Sequence, residues 1–201
     1  MTNAKAASSS CSPIFNRYIW KQLKDMMKRV FLILVIGICS SFTNQADDCL
    51  FWPDQKLAFD DFKGTPDTKS SKPAKSEFMI DVTDMHLENN IPKYDVKCFF
   101  RKHQSWIVVC DKQTIAREQL RFDLHEVYAR KTRKAFDSLN KAAISEGSKY
   151  QSVLTAYIEK NNAANVVFDR EIGADPKNEK IWSKKISGEL SLLAAYAIPP
   201  K

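Results

Sequence analysis

The sequence predicts an α+β fold in which an antiparallel sheet of short strands is followed by about three helices. Residues 78–83 alternate apolar and polar side chains, which is typical of a half-buried strand. From Gln113 onward the apolar residues recur at helical spacing instead. Because the strands come first and the helices after them, we expect the helices to pack on one face of the sheet.

The folded part of the chain opens with Phe51 and Trp52. A short strand after them ends in a turn over residues 60–67, where Gly64 and Pro66 interrupt regular structure. The aspartates of this segment are therefore interpreted as turn residues.

Two further strands are predicted after a turn at residues 89–92. Residues 94–100 and 105–110 are both rich in apolar and aromatic side chains, with residues 101–104 as the connection between them. Because these strands are consecutive and close in sequence, we expect them to pair with each other as an antiparallel hairpin.

Three helices account for the rest of the chain. The first is predicted over residues 114–145, with Gly147 marking its end, and the second over residues 149–165. Asp175 and Pro176 indicate the start of the third helix. Its apolar stripe consists of Ile181, Trp182, Ile186, Leu190, Leu193 and Tyr196.

The formal net charge of +7 is concentrated near the amino terminus. Residues 1–46 hold six basic side chains and one acidic side chain, which leaves 25 basic and 23 acidic residues in the rest of the chain. A nucleic-acid-binding domain carries its basic residues on the domain itself. The sequence therefore predicts no nucleic-acid partner.

Residues 1–46 have the pattern of a leader with an export signal. Basic residues precede a short apolar run over residues 30–39, and polar residues follow it. The run is shorter than the roughly 20 apolar residues that span a bilayer, although a short membrane anchor is the alternative. We expect residues 47–201 to form a single domain that is periplasmic, on the cell surface or secreted, with no membrane span in the mature chain.

The exact limits of the leader remain open. A start at Met26 or Met27 would give a leader of normal length, so the first residues are consistent with a misplaced start. Cleavage after Ser41 and cleavage after Ala46 both fit the small residues found there.

Three cysteines remain after the leader. They are Cys49, Cys98 and Cys110, and an oxidising compartment would allow one disulfide and leave one thiol. Cys98 and Cys110 lie near the two ends of the predicted hairpin, so they are the disulfide candidate. The alternative is three buried thiols that behave as small apolar side chains.

The stretch from Arg117 to Glu126 has the spacing of a zinc-peptidase helix without its ligands. In such a helix two histidines four residues apart bind zinc, and a glutamate beside the first acts as general base. Glu118 occupies the position of the base, whereas Arg117 and Arg121 occupy the positions of the histidines. His125 continues the same helix face one turn later.

Three motifs, in this order, resemble one protein family. Residues 57–66 (L-A-F-D-D-F-K-G-T-P) resemble an L-x-W-x-D-F-x-G-x-P opening, with Phe59 for the tryptophan. Residues 105–107 resemble an S-W-V strand, and residues 117–130 resemble an H-E-Q-x-H-F-D-I-x-E-x-Y-A-R helix except at both histidines. The family consists of bacterial exported domains of unknown function, described as secreted zinc-dependent proteases, and the resemblance covers roughly residues 50–196.

The resemblance implies a zincin-like fold, with zinc at the positions of Arg117 and Arg121 and water activated by Glu118. Arginine stays protonated and offers no lone pair, so neither arginine can bind zinc. The family's later segment, similar to Y-D-x-E-T-x-H-G, corresponds best to residues 168–175, where the histidine is also absent. We therefore expect no zinc cofactor and a catalytically degenerate protein.

Arginine at both positions suggests a substitute for the charge of the metal. Two guanidinium groups carry +2, as does Zn²⁺ bound by two neutral imidazoles. We expect each arginine to be held by a carboxylate, with Glu118, Glu126 and Glu171 as the acidic neighbours. Together with His125 these residues are the candidate binding site. The alternative is a solvated helix face on which both arginines pair locally.

Three functions remain open from the sequence. The first is an exported pseudoenzyme that binds a protein or peptide or has a structural role. The second is an active secreted metal-dependent peptidase whose ligands are unrecognised, although His86, His103 and His125 have no ligand spacing. The third is an envelope protein whose basic helix face meets an acidic partner. That face consists of Arg117, Arg121, Arg130, Lys131, Arg133 and Lys134.

Overall fold

The computed structural model describes residues 48–199, all of which belong to one compact unit spanning residues 47–201. Strands come first and helices after them, which confirms the predicted α+β class. The predicted leader, with its alternative starts and cleavage sites, lies outside the described residues. Between residues 48 and 199, no helix combines the length and apolar character needed to cross a membrane.

Five strands precede three helices in the described part of the chain. The strands are β1 (Cys49–Phe51), β2 (Ala74–Lys75), β3 (Phe78–Glu88), β4 (Ile91–Arg101) and β5 (Trp106–Ile107). The helices are α1 (Lys112–Lys141), α2 (Gly147–Ala174) and α3 (Asn178–Leu192). Short 3-10 turns cover Phe59–Asp61, Lys102–Gln104 and Ala194–Tyr196.

A three-stranded antiparallel sheet in the order β1–β4–β3 forms the main layer. Its long β3–β4 hairpin turns at Asn89 and Asn90, whose φ values of 51° and 62° suit a two-residue loop. β3 extends to Glu88, beyond the predicted end at residue 83. The outer half of β3 is almost entirely exposed, so its side chains do not show the alternation that predicts a strand.

The predicted pairing between the strands over residues 94–100 and 105–110 is wrong. β4 pairs with β3 and β1, whereas β5 pairs with β2 in a separate two-stranded sheet. Ser105 redirects the chain between them, because its buried hydroxyl donates to the carbonyl of Arg101 at 2.6 Å and accepts from the amide of Glu77 at 2.9 Å. β5 thereby reaches the segment before β3 instead of folding back on β4.

The helices differ from the prediction mainly at their ends. α1 begins after Asp111, whose carboxylate accepts a hydrogen bond from the amide of Thr114 at 2.7 Å, as an N-cap does. Ala143 adopts a left-handed φ of 54° after the end of α1. Gly147, predicted as the end of α1, is the first residue of α2, and α2 continues to Ala174 rather than ending at residue 165.

Helix α1 lies between two apolar cores. The core between α1 and the sheet includes Leu50, Val96, Phe100, Phe122 and Phe136. The core among the three helices includes Leu124, Val127, Phe168, Trp182 and Ile186. The polar side chains of α1 that are buried between these cores therefore need partners within the fold.

Candidate functional site

Arg117 and Arg121 each contact a carboxylate from another helix. Arg117 Nε donates to Glu179 Oε1 of α3 at 2.8 Å. Arg121 Nη2 lies 2.6 Å from Asp169 Oδ1 of α2, and Arg121 Nε lies 3.4 Å from Glu118 Oε2 on α1 itself. We call these five residues the arginine cluster. The cluster joins all three helices at the position where the resemblance implies a metal.

Arg121 is the most enclosed cation of the arginine cluster. Its side chain is 18% exposed, and its guanidinium carbon lies 5.0 Å from the centre of the Phe168 ring. Burial opposes its charge, but the bond to Asp169 and the nearby charge of Glu118 outweigh this effect and raise the pKa of Arg121 above its ordinary value. Arg121 is therefore positively charged at every physiological pH.

Glu118 lies one residue after Arg117 on α1, at the position that the resemblance assigns to a general base. Its side chain is only 7% exposed, and Oε2 accepts no hydrogen bond from any residue in the range 48–199. The ion pair with Arg121 is the contact that the structure provides for this oxygen. A carboxylate can take a proton from water, but without a metal it does not lower the pKa of that water towards neutrality.

Glu126 does not belong to the arginine cluster, contrary to the expected arrangement. It is 1% exposed, and its Oε1 accepts hydrogen bonds from Arg130 Nε at 3.0 Å and from Arg133 Nη1 at 2.9 Å. The arginines also bond to backbone carbonyls, Arg130 to Leu190 and Arg133 to Val96. We call Glu126, Arg130 and Arg133 the Glu126 cluster. It ties α1 to α3 and β4.

Glu171 also lies away from Arg117 and Arg121. Its Oε2 accepts a hydrogen bond from Trp182 Nε1 at 2.9 Å, and its carbonyl accepts one from Asn178 Nδ2 at 2.8 Å. These bonds fix the junction between α2 and α3. Glu171 therefore stabilises the junction between α2 and α3 and does not pair with Arg117 or Arg121.

His125 is enclosed between α1 and β3. Its ring centre lies 5.0 Å from that of Phe78, and Nδ1–H donates to the carbonyl of Arg121 at 2.9 Å. Burial is the main reason that the pKa of His125 falls from 6.5 to about 4, and the charge of Arg121 lowers it further. His125 is consequently neutral at pH 7.

The residues of the site do not suit a zinc ion. Guanidinium groups offer no lone pair, so Arg117 and Arg121 cannot replace the histidine ligands. His86 and His103 are exposed on β3 and on the turn after β4, whereas His125 is buried. The described residues contain no group of three or more histidine, cysteine or carboxylate side chains arranged to hold a metal ion.

The cysteines do not form the disulfide that was the first candidate. Cys49, Cys98 and Cys110 are all free thiols. Cys98 is buried in β4 opposite Ile80, whereas Cys110 is exposed beyond β5, which pairs with a different strand. Burial raises the pKa of the Cys98 thiol well above its ordinary value, and the charge of Glu126 adds to this effect. Cys98 is therefore an unreactive apolar side chain of the core.

Comparisons with protein-family models, with curated proteins and with solved structures found no match for this chain. The roles of the site residues are therefore inferred from contacts within the chain.

Most cations of the predicted basic face of α1 form ion pairs within the fold. The four arginines of this face form the ion pairs of the two clusters, and Lys131 Nζ lies 3.0 Å from Glu189 Oε2. Lys134 is exposed. Since five of the six cations are engaged within the fold, the face does not present the row of charges that the sequence suggested.

Sequence reasoning missed two partners of the arginines, Asp169 and Glu179. Asp169 is two positions before Glu171 on α2, a rotation of about 200° around the helix, so the two carboxylates point to different sides. Both residues lie beyond the predicted end of the second helix at residue 165, so the sequence prediction contains no helical spacing that distinguishes them. The available signal is the pair of apolar residues Phe168 and Ile172, whose spacing of four indicates that the helix continues past residue 165. On such a helix Asp169 and Glu171 lie on different faces.

Proposed function

We propose that this protein is an exported, zincin-like pseudoenzyme that acts by binding a protein or peptide, or as a structural component, without a catalytic zinc. The observation that carries the proposal is the arginine cluster. Arg117 and Arg121 occupy the two helix positions that the family resemblance assigns to zinc, and each is held by a carboxylate. Arginine at these positions replaces metal binding by an internal ion-pair network.

The charge of the arginine cluster supports this substitution. Its three carboxylates, from Glu118, Asp169 and Glu179, face two guanidinium groups that together carry +2. A zinc ion with two neutral histidines would present the same +2 to the same carboxylates. The cluster therefore preserves the charge balance that a metal site at this position would require.

Contacts between the motifs of the resemblance also support it. The amide of Gly64 in the D-F-K-G turn donates to the carbonyl of Ser105 at 2.7 Å, and a Cβ at Gly64 would lie 2.7 Å from that same oxygen. Only glycine fits so close to the S-W strand. Asp169, in the segment that resembles the third ligand's segment, contacts Arg121. In both cases, segments that are distant in sequence are in direct contact.

The alternative is a peptidase that uses Glu118 as a general base with a metal held by other ligands. Incubation of the purified protein with a library of fluorogenic peptides, with added zinc or with a chelator, separates the two functions. We expect no hydrolysis that depends on Glu118. Hydrolysis that zinc restores and that the Glu118→Gln variant loses would overturn the pseudoenzyme proposal.

Binding through the arginine cluster is tested by changing its charges. Affinity capture from the cell envelope should lose its specific partner with Arg117→Ala/Arg121→Ala. The control is Lys180→Ala/Lys184→Ala, which removes two exposed cations from α3. If both double variants keep the same partners, the arginine cluster is not the binding surface and its role is structural.

Export is proposed from the leader pattern of residues 1–46. Mass measurement of the protein from a periplasmic or culture-medium fraction should give a chain that begins after Ser41 or Ala46. A chain that keeps residues 30–39 and sediments with membranes would indicate a retained anchor instead.

A further inference from the structure

Each of the three helices carries an aromatic residue followed three positions later by a lysine. These pairs are Tyr128 with Lys131, Tyr157 with Lys160, and Trp182 with Lys185. Residues three apart on a helix are neighbours on its surface. The ammonium nitrogens accordingly lie 4.9, 4.8 and 4.5 Å from the centres of the respective rings.

The three pairs surround one cleft. A cavity of about 480 Å³ between α1 and α2 is lined by the first two pairs and by Ala163, Ala164 and Val167. A second cavity of about 170 Å³ is lined by Lys131 together with the Trp182 pair, and it shares Tyr128 and Ala164 with the first. We call the two cavities together the lysine–aromatic cleft. The larger of the two is an open depression, so a ligand would lie along it rather than be enclosed.

The cleft has a positive charge and apolar walls. Lys131 is paired with Glu189 at 3.0 Å, which leaves the charges of Lys160 and Lys185 in excess. The small side chain of Ala164 lines both cavities and, with Val167, gives the cleft an apolar wall beside Tyr128 and Tyr157. A flat apolar body can therefore lie against this wall while an acidic group meets the ammonium groups.

We propose that the lysine–aromatic cleft binds an organic anion with an aromatic body, such as an aromatic carboxylate or sulfonate. A lysine that covers an exposed ring gains less than a lysine that donates a charge-assisted hydrogen bond to an anion. The arriving anion therefore draws the ammonium of Lys160 from the ring of Tyr157, whose face is then free for stacking, whereas the buried ring of Trp182 belongs to the wall. The cleft shares no residue with the arginine cluster, so this proposal is independent of the proposed function.

Titration calorimetry of the full-length protein with 2-naphthalenesulfonate tests the proposal. We expect saturable binding of one molecule per chain, with weaker binding of neutral 2-naphthol and of inorganic sulfate. Lys160→Gln/Lys185→Gln should weaken binding by about tenfold or more, because each ammonium contributes a charge-assisted hydrogen bond. Ala164→Trp should abolish binding by filling the cleft that Ala164 lines.

The matched control is Lys149→Gln/Lys180→Gln, which removes two exposed lysines from the same two helices without touching the cleft. This control should change the affinity by less than about twofold, as for distant surface charges. The proposal is overturned if no saturable binding occurs, if both double variants weaken binding equally, or if 2-naphthol binds as tightly as the sulfonate. All the lysine variants replace surface residues, so circular dichroism should show an unchanged fold.

Discussion

Two glutamate–arginine clusters lie on the same helix, and they are built differently. The Glu126 cluster is almost fully buried, and Glu126 accepts three hydrogen bonds from Arg130 and Arg133. In the arginine cluster, Glu118 is buried as well, but one of its oxygens accepts no hydrogen bond within residues 48–199. Both oxygens of Glu126 accept hydrogen bonds, whereas Glu118 Oε2 has only the longer ion pair with Arg121 at 3.4 Å.

The two clusters also differ in what they connect. Arg133 donates to the carbonyls of Val96 in β4 and Tyr196 beyond α3, so the Glu126 cluster ties the sheet to the segment that follows α3. Arg117 and Arg121 contact side chains, Glu179 and Asp169, of which Asp169 is 54% exposed. Burial with full hydrogen bonding indicates an architectural role. Partial exposure with fewer hydrogen bonds predicts a smaller contribution of the arginine cluster to stability.

The largest expected effect comes from breaking the Glu126 cluster. Glu126→Ala leaves two buried guanidinium groups without their carboxylate, and it should lower the free energy of unfolding by about 4 kcal/mol. Glu118→Ala is the matched change in the other cluster, where Arg121 keeps Asp169, and it should cost at most about 1 kcal/mol. Urea unfolding followed by circular dichroism measures both values. Equal losses would remove the distinction between the two clusters.

The next effect is acid destabilisation through His125, which lies between the clusters on α1. Its pKa is about 4 in the folded protein and 6.5 in the unfolded chain, so the unfolded chain binds more protons between these values. The free energy of unfolding should therefore fall by about 3 kcal/mol as the pH is lowered from 6.5 to 4, with no further contribution from His125 below pH 4.

Unfolding measured across this pH range should show a shallower slope in His125→Gln than in the wild type. His103→Gln, which replaces an exposed histidine, is the control for the loss of an imidazole. An NMR titration of His125 in the folded protein provides a second test. Protonation near pH 6.5 would show that the ring is not buried as described.

A smaller effect is expected from Arg121. Arg121→Met removes the cation next to buried Glu118 and leaves that carboxylate unpaired. Asp169 is exposed, so water can solvate it after the change. The variant should therefore lose about 2 kcal/mol of stability. Adding Glu118→Gln should recover part of this loss, because the buried charge is then absent. A double-mutant cycle measures the coupling. Additive losses would mean that Glu118 and Arg121 do not interact.

The smallest effect is expected from Arg117. Its side chain is 29% exposed and that of Glu179 is 23% exposed, so solvent screens their ion pair. Arg117→Gln should cost less than about 1 kcal/mol, and the loss should shrink further at high salt. A loss as large as that of Arg121→Met would show that the cluster acts as one unit centred on both arginines.

Most of the fold was predictable because its signals are local. The change from alternating to helical periodicity near Gln113 marks the boundary between sheet and helices. The pairing of β5 was not predictable, because it depends on the buried hydroxyl of Ser105 and its bonds to residues on two other segments. Because β4 and β5 are close in sequence, a pairing between them was predicted, whereas β5 pairs with β2.

The site was predictable in part. Helical spacing placed Arg117, Glu118 and Arg121 together, and their charge implied carboxylate partners. The partners themselves come from α2 and α3, and their identity depends on how these helices are rotated against α1. Glu126 was assigned to the wrong cluster because a single helix cannot reveal that Arg130 and Arg133 also reach the carbonyls of Leu190 and Val96.

The zinc content of the purified protein tests the central claim most directly. The protein should be purified without chelator and without a metal-affinity column, and its metals measured by inductively coupled plasma mass spectrometry. An arginine cluster in place of a metal site predicts far less than one zinc per chain, with no increase after incubation with zinc and desalting. One zinc per chain that survives desalting would contradict this account.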